Sequence, residues 1–218
     1  MFENKSFRNI IILLIVIANI GCDQISKKIV RESVSPGDRI ELINQNFLLM
    51  NVENNGAFLS VFSNASPLVK KITLLGLPTI MLIGVLFYLF SESKLPKVAL
   101  IGWSFVIGGG IGNMYDRIKF GSVTDFLFID LGGIFRTGVF NMADVSIMVG
   151  MGFLILFYIQ DATKKEDASI ENDPILNLVV DDIDSFEHEE ERRLFYVALT
   201  RTKKKVYLYG EQGTYFIE

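Results

Sequence analysis

The chain has 218 residues, half of them hydrophobic, with 18 Phe, 18 Gly and a mean hydropathy of +0.37, which is too apolar for an ordinary soluble domain. Its charge is uneven: 13 basic and 11 acidic residues up to Gln160 give a body of net +2, and 8 and 14 beyond it give a tail of net −6. The single cysteine, Cys22, excludes an intramolecular disulfide and a multi-cysteine zinc site, and the single histidine, His188, lies in the polar tail, so the body cannot hold a Ser-His-Asp triad, a Cys-His pair or a histidine metal site. Any chemistry there falls to carboxylates, amides, hydroxyls and lysines, and no cofactor or metal is expected.

A hydrocarbon core about 30 Å thick requires about 20 apolar residues in a helix. Four runs approach that length. Ile10 to Cys22 is short, preceded by Lys5 and Arg8 and followed by Asp23, Gln24, Lys27 and Lys28. The polar stretch 29–71 comes next, and within it Arg39 to Val52 reads as short strands, because "RIELI" alternates and "FLLMNV" is β-prone. Ile72 to Phe90 is the second span and contains Pro78, which a membrane helix tolerates when neighbours satisfy the freed carbonyl. Val98 to about Tyr115 is the third, rich in glycine at Gly102, Gly108, Gly109, Gly110 and Gly112, so another backbone can approach it closely. Phe140 to Ile159 is the fourth and carries Asp144 near its start. These runs predict a mainly α membrane protein with four transmembrane helices and a small β-sheet at the membrane surface between the first two. An even helix number puts both ends on one side, but the basic residues flanking the runs do not choose which.

Residues 161–185 are acidic and lack a long apolar run, as a solvated linker would. Beyond them Glu187 to Leu199 reads as a charged helix and Lys205 to Tyr209 as a strand.

A carboxylate at bilayer depth costs about 2.5–3.5 kcal/mol on insertion scales, so acids at membrane-helix ends are functional candidates. The body has Asp23, Asp116, Asp125, Asp130 and Asp144. Asp23 could cap or snorkel near the end of a short first helix, Asp116 could pair with the adjacent Arg117, and Asp130, before two glycines, reads as a turn residue. Asp125, flanked by apolar residues in "SVTDFLF", and Asp144, after "VFNMA", favour a functional reading. Two such carboxylates held close together share one proton, so the charged one can polarise a water while the neutral one donates to a carbonyl oxygen. Asn54, Asn113 and Asn141 could orient the pair or the scissile carbonyl, and each could equally be a cap or turn residue.

"DQISK" (Asp23 to Lys27), "NNGAFLS" (Asn54 to Ser60), "GGGIGNMYDR" (Gly108 to Arg117), "VTDF" (Val123 to Phe126) and "FNMAD" (Phe140 to Asp144) resemble, in order and spacing, the motifs of lipoprotein signal peptidase (signal peptidase II), over about residues 8–160. The resemblance implies an intramembrane aspartyl endopeptidase that cuts diacylglyceryl-modified prolipoproteins on the amino side of the lipidated cysteine. It places the catalytic pair at Asp125 and Asp144. It implies that Asp23, Lys27, Asn54, Gly56, Asn113, Asp116, Arg117 and Asn141 bind substrate or support the dyad. It also implies both termini in the cytoplasm, an extracytoplasmic sheet, a site at the outer face of the bacterial inner membrane, and lipid-modified prolipoproteins and membrane lipids as partners.

The tail segment "EEERRLFYVALTRTKKKVYLYG" (Glu189 to Gly210) instead resembles the last motif of superfamily 1 DNA helicases, whose γ-phosphate arginine would match Arg201. The chain has no G-x-x-x-x-G-K-[ST] phosphate loop, so residues 186–218 read as a helicase-like fragment without nucleic-acid or ATP-binding function of its own. Two other function classes compete. A lipid-anchored protein would use Cys22 as its acylation site, but Asn19 stands where an aliphatic residue is wanted and three more apolar spans follow. A small transporter would also explain intramembrane acids and glycine-rich helices. A Ser26/Lys27 dyad is a poor rival, because adjacent helical residues point about 100° apart.

Overall fold

A computed structural model describes residues 4–56, 66–92, 94–132, 135–171, 206–210 and 213–217. The chain divides into two compact units, Met1–Tyr158 and Ile159–Glu218.

The first unit begins with α1 (Lys5–Ser33). The Asn4 side chain starts it by accepting from the Ser6 and Phe7 N–H groups, and Pro36 lies just beyond its end. Its buried residues Arg8, Ile12, Val16, Asp23, Lys27 and Val30 fall at helical spacing on one stripe, so the apolar seam turns ionic halfway along the same face. The expected first span, Ile10 to Cys22, was therefore too short. The charged residues after Cys22 continue the helix because Asp23 and Lys27 are paired and buried rather than solvated.

After α1 come β1 (Arg39–Ile43), β2 (Phe47–Asn54) and a short helical turn, α2 (Pro67–Lys70). A π-helical stretch, Lys71–Gly76, leads into α3 (Leu77–Ser91). Pro78 stands in the first turn of α3, where its missing N–H costs nothing within that segment. At the other end of α3 the buried Arg8 guanidinium donates to the carbonyls of Leu89, Phe90 and Glu92 at 3.2, 3.1 and 2.7 Å, tying α1 to the orphan end of α3.

Helix α4 (Lys97–Phe120) is the centre of the unit. It is followed by β3 (Val123–Leu131), β4 (Phe135–Arg136) and α5 (Met142–Glu171). Two glycine contacts set how closely α5 approaches α4. A Cβ on Gly102 would lie 2.9 Å from the Gly150 carbonyl oxygen, and one on Gly109 would collide with the Ala143 carbonyl, so only glycine permits this backbone-to-backbone approach. Deep between the helices, Ser146 donates to Asn19 at 2.6 Å, joining α5 to α1. Ile12, Val16, Leu89, Leu95, Ala99, Leu100 and Ile107 form the apolar core. Outward-facing residues such as Leu14, Ile17, Ile80, Phe87 and Ile155 remain exposed, which suits lipid. Among the described residues, four helices are long and apolar enough to cross a membrane.

The sheet is larger than the sequence suggested. Its strands run β1-β2-β3-β4, all antiparallel, so the segment between α4 and α5 supplies half of it. Strand β3 escaped notice because "VTDFLFIDL" does not alternate: its first four residues are all buried. Asp130, expected in a turn, lies within β3 and pairs with Arg136 at 2.8 Å. The other face of the sheet packs Leu49, Phe126 and Leu127 on Val30 and Val34 of α1.

In the second unit, the described residues comprise the end of α5 and a hairpin of β5 (Val206–Gly210) and β6 (Gly213–Ile217). The expected strand Lys205 to Tyr209 is β5. The stretch 161–185, expected as linker, begins as helix, because α5 continues to Glu171 with an Asp161–Lys165 ion pair at i,i+4. The expected helix Glu187 to Leu199, His188 and Arg201 lie outside the described residues.

Candidate active site

Asp125 and Asp144 reach the site from different elements, and each placement has a local cause. The Phe126 and Leu127 N–H groups both donate to the Phe140 carbonyl, at 2.9 and 2.8 Å, which is a β-bulge. The bulge turns Phe126 and Leu127 to the α1 side together, and Asp125 is left on the same face as Phe128 and Asp130. That face continues into a cavity of about 490 Å³ lined in part by Arg39, Glu41, Leu48, Met50, Phe128 and Asp130. Asp144 stands in the first turn of α5, where a carboxylate is favoured by free N–H groups. Its Oδ2 accepts from the Asn141 N–H at 3.1 Å while Asn141 Oδ1 accepts from the Asp144 N–H at 3.0 Å, a reciprocal cap across three residues.

Three asparagines surround the two acids, and each has its oxygen fixed by a group that can only donate. Asn54 Oδ1 accepts from the Gly56 N–H at 3.0 Å, and its Nδ2 donates to Asp125 Oδ2 at 2.8 Å. Asn141 Oδ1 is held by the Asp144 N–H, and its Nδ2 donates to Asp125 Oδ1 at 2.6 Å and to Asn113 Oδ1 at 3.0 Å. Asn113 Oδ1 also accepts from Lys27 Nζ at 2.9 Å, and its Nδ2 donates to Asp144 Oδ1 at 2.9 Å. The amide chain therefore presents N–H groups to both carboxylates and bridges one to the other.

Asp125 is 3% exposed. Burial pushes its carboxyl up to about 6, with the Asp144 charge adding to the rise and the Asn54 and Asn141 donors opposing it. A carboxyl ionising there changes protonation state near neutral pH, as a group exchanging a proton must.

Behind the asparagines lies an ionic cluster. Lys27 Nζ pairs with Asp23 at 2.9 Å and Asp116 at 3.0 Å, and all three side chains are fully buried. Asp23 Oδ1 also accepts from the Ala143 N–H at 2.9 Å, which fixes the start of α5 beside Asp144. The expected Asp116–Arg117 partnership is not what forms: Asp116 faces Lys27 and, at 3.8 Å, Arg31. Arg117 donates to the Gly56 carbonyl at 3.3 Å and the Asn113 carbonyl at 3.4 Å. Gly56 is buried and its φ is not left-handed, so what distinguishes it is a backbone held at both ends by Asn54 and Arg117. The structure thus brings together Asp23, Lys27, Asn54, Gly56, Asn113, Asp116, Arg117, Asp125, Asn141 and Asp144. The rest of the motif after Gly56 lies outside the described residues.

Four participants were not assigned to the site from the sequence. Gln24 donates to both Asp23 and Asp116 at 3.0 Å. Arg31 donates to the Thr124 hydroxyl at 2.8 Å, and that hydroxyl donates to Glu53 at 2.8 Å, which anchors the residue next to Asp125. Gly112 has no room for a side chain, since a Cβ there would lie 2.6 Å from Asp23 Oδ2. Gln24 and Gly112 stand inside quoted motifs, and the i,i+4 spacing from Lys27 to Arg31 was a readable signal. Thr124 too stands inside a quoted motif, Val123 to Phe126.

Residues 14–160 match the family described as Signal peptidase (SPase) II. Among curated relatives, the lipoprotein signal peptidase of Clostridium novyi (strain NT) is 33% identical over 149 residues, covering 68% of this chain and 97% of that protein. That of Borreliella afzelii (strain PKo) is 35% identical over 173 residues, covering 76% and 96%. A bacterial membrane enzyme solved by the in meso method at 2.3 Å superimposes with a TM-score of 0.63 at 25% identity, covering 71% of this chain and 90% of that one. In the tail, residues 177–209 match the UvrD-like helicase C-terminal domain. With four membrane-length helices and a family match across most of its length, the chain belongs to the signal peptidase II family and is a multi-pass membrane protease.

Proposed function

We propose that the protein is an intramembrane aspartyl endopeptidase that removes signal peptides from diacylglyceryl-modified prolipoproteins, cutting on the amino side of the lipidated cysteine. The observation that carries this reading is the bridge between the two acids: Asn141 donates to Asp125 while exchanging hydrogen bonds with Asp144, and Asn113 accepts from Asn141 and donates to Asp144. Amide donors stabilise carboxylate charge, and burial of Asp125 with Asp144 nearby favours one retained proton. In the reaction the ionised member of the pair takes a proton from a water as it attacks the scissile carbonyl, and the protonated member donates to the carbonyl oxygen. Collapse of the tetrahedral intermediate returns a proton to the leaving amine. Asp23, Lys27, Asn54, Gly56, Asn113, Asp116, Arg117 and Asn141 bind substrate or hold this pair, and no metal or cofactor takes part.

The enzyme sits in the bacterial inner membrane with both termini cytoplasmic, its substrate entering laterally from lipid beneath the sheet. The tail, residues 186–218, is a helicase-like passenger that binds neither nucleotide nor nucleic acid. A gel-shift cleavage assay on a diacylglyceryl-modified prolipoprotein, with the full chain and a version ending at Lys165, tests both parts. The reading expects the signal peptide to be released by both at nearly equal rates. No cleavage by the full chain overturns the enzyme, and loss confined to the truncated, correctly inserted version overturns the passenger.

A further inference from the structure

We infer that Lys27 is a positioning residue that never touches substrate, and that its charge, together with the Asn141 donor, sets the direction of the Asn113 amide and hence what Asp144 is offered. An ammonium has three N–H bonds and no acceptor. Here all three have acceptors: Asp23 at 2.9 Å, Asp116 at 3.0 Å and Asn113 Oδ1 at 2.9 Å. The side chain is fully buried. No hydrogen remains for a peptide carbonyl and no surface remains for contact with one.

The consequence lies one residue further on. Because Lys27 can only donate, the Asn113 atom facing it must be the carbonyl oxygen, so the NH2 group faces Asp144 Oδ1 at 2.9 Å. The same oxygen takes the Asn141 donor at 3.0 Å, which fills its two lone pairs. With Lys27 removed the Asn113 oxygen keeps only the Asn141 donor, and a flip of the weakened amide would present an acceptor to Asp144 and repel its charged form. The charged groups around this linkage are Asp23, Lys27 and Arg31 on α1, Asp116 and Arg117 on α4, Asp125 on β3 and Asp144 on α5. Lys27 and Arg31 offset Asp23 and Asp116, so the cluster is close to neutral and its effect on the dyad passes through the amide.

This inference rests on the reading of Asp125 and Asp144 as the reacting pair. The test is steady-state cleavage of a diacylglyceryl-modified prolipoprotein, normalised to folded enzyme and followed across pH, for Lys27→Met and Asn113→Asp. The second variant keeps a partner for Lys27 and its volume, but turns an acceptor toward Asp144, and so stands in if Lys27→Met does not fold. Both should lose about 10- to 100-fold in kcat with KM unchanged, and the acid limb of the rate profile should move to higher pH. A raised KM with kcat preserved makes Lys27 a substrate ligand and overturns the inference. Unchanged kcat and pH profile in the folded variants, with only thermal stability lowered, makes it a structural ion pair and overturns it equally. If Asp125→Asn, run in parallel, still turns over, the dyad reading fails and the inference fails with it.

Discussion

The most apolar 18-residue stretch of Lys71–Ser91, the span that contains α3, has a mean hydropathy of 2.2 with 11% of it buried, whereas that of α4 (Lys97–Phe120) has 1.3 with 56% buried. The more hydrophobic helix is the peripheral one. Lipid accepts any apolar side chain, so α3 is filled with Leu, Ile and Phe that contact little protein. Helix α4 is surrounded by α1, α3 and α5, and it trades apolar bulk for glycines that admit other backbones and for Asn113, Asp116 and Arg117, which serve the site. In a membrane enzyme the span with the weaker hydropathy signal is the one whose residues are specified individually.

Matched glycine substitutions sharpen this contrast. A Cβ at Gly109 meets the Ala143 carbonyl and one at Gly112 meets Asp23, and both disturb the start of α5 that aims Asp144. Gly109→Ala and Gly112→Ala should each lower the rate of prolipoprotein cleavage about 100-fold or more. Near-normal turnover by either would show that α4 has slack the close contacts deny. Gly84→Ala on α3, where nothing lies within 4 Å, belongs at the far end of the series. It should leave cleavage within about twofold and raise helix stability by up to about 1 kcal/mol, read by thermal unfolding in detergent.

Between these extremes lies Asn54→Ala, which removes a donor from the charged form of Asp125. That donor holds the carboxyl down from where burial alone would put it, so its loss raises the ionisation further above about 6. If the singly protonated pair is the reactive form, kcat/KM falls as pH rises through that ionisation, and the variant should move this alkaline limb upward while losing about tenfold in rate. A limb that stays in place would detach Asp125 from the titration. A catalytic effect as small as that of Gly84→Ala is expected at Arg8, which caps α3 far from the acids. Arg8→Leu leaves the carbonyls of Leu89, Phe90 and Glu92 without their donors and should cost about 1–3 kcal/mol of stability, measured by thermal unfolding, with kcat unchanged.

Much of this was readable in the sequence because apolar length and acid placement are local properties. The four spans follow from hydropathy, and Asp125 and Asp144 stand out as acids among apolar residues. Lys27 lies one helical turn from Asp23, so their shared face was implied by spacing. The end of α1 was misjudged because a buried ion cluster has the same composition as a solvated helix end. Strand β3 and its bulge were invisible for a different reason: a strand buried along its first half shows no alternation, and the bulge depends on the Phe140 carbonyl lying opposite. The direction of each asparagine could not be read locally either, since it is set by donors from other elements, Lys27 on α1 for Asn113 and the Asp144 N–H on α5 for Asn141.

The central claim is that Asp125 on β3 and Asp144 on α5 act as one proton-sharing pair. The most direct measurement is the single-turnover rate of Asp125→Asn, Asp144→Asn and the double variant on a diacylglyceryl-modified prolipoprotein, with membrane insertion verified for each. Because the pair acts as a unit, each single variant should lose essentially all cleavage and the double variant should be no worse than either. Substantial turnover by either single variant, or losses that multiply in the double, would contradict it.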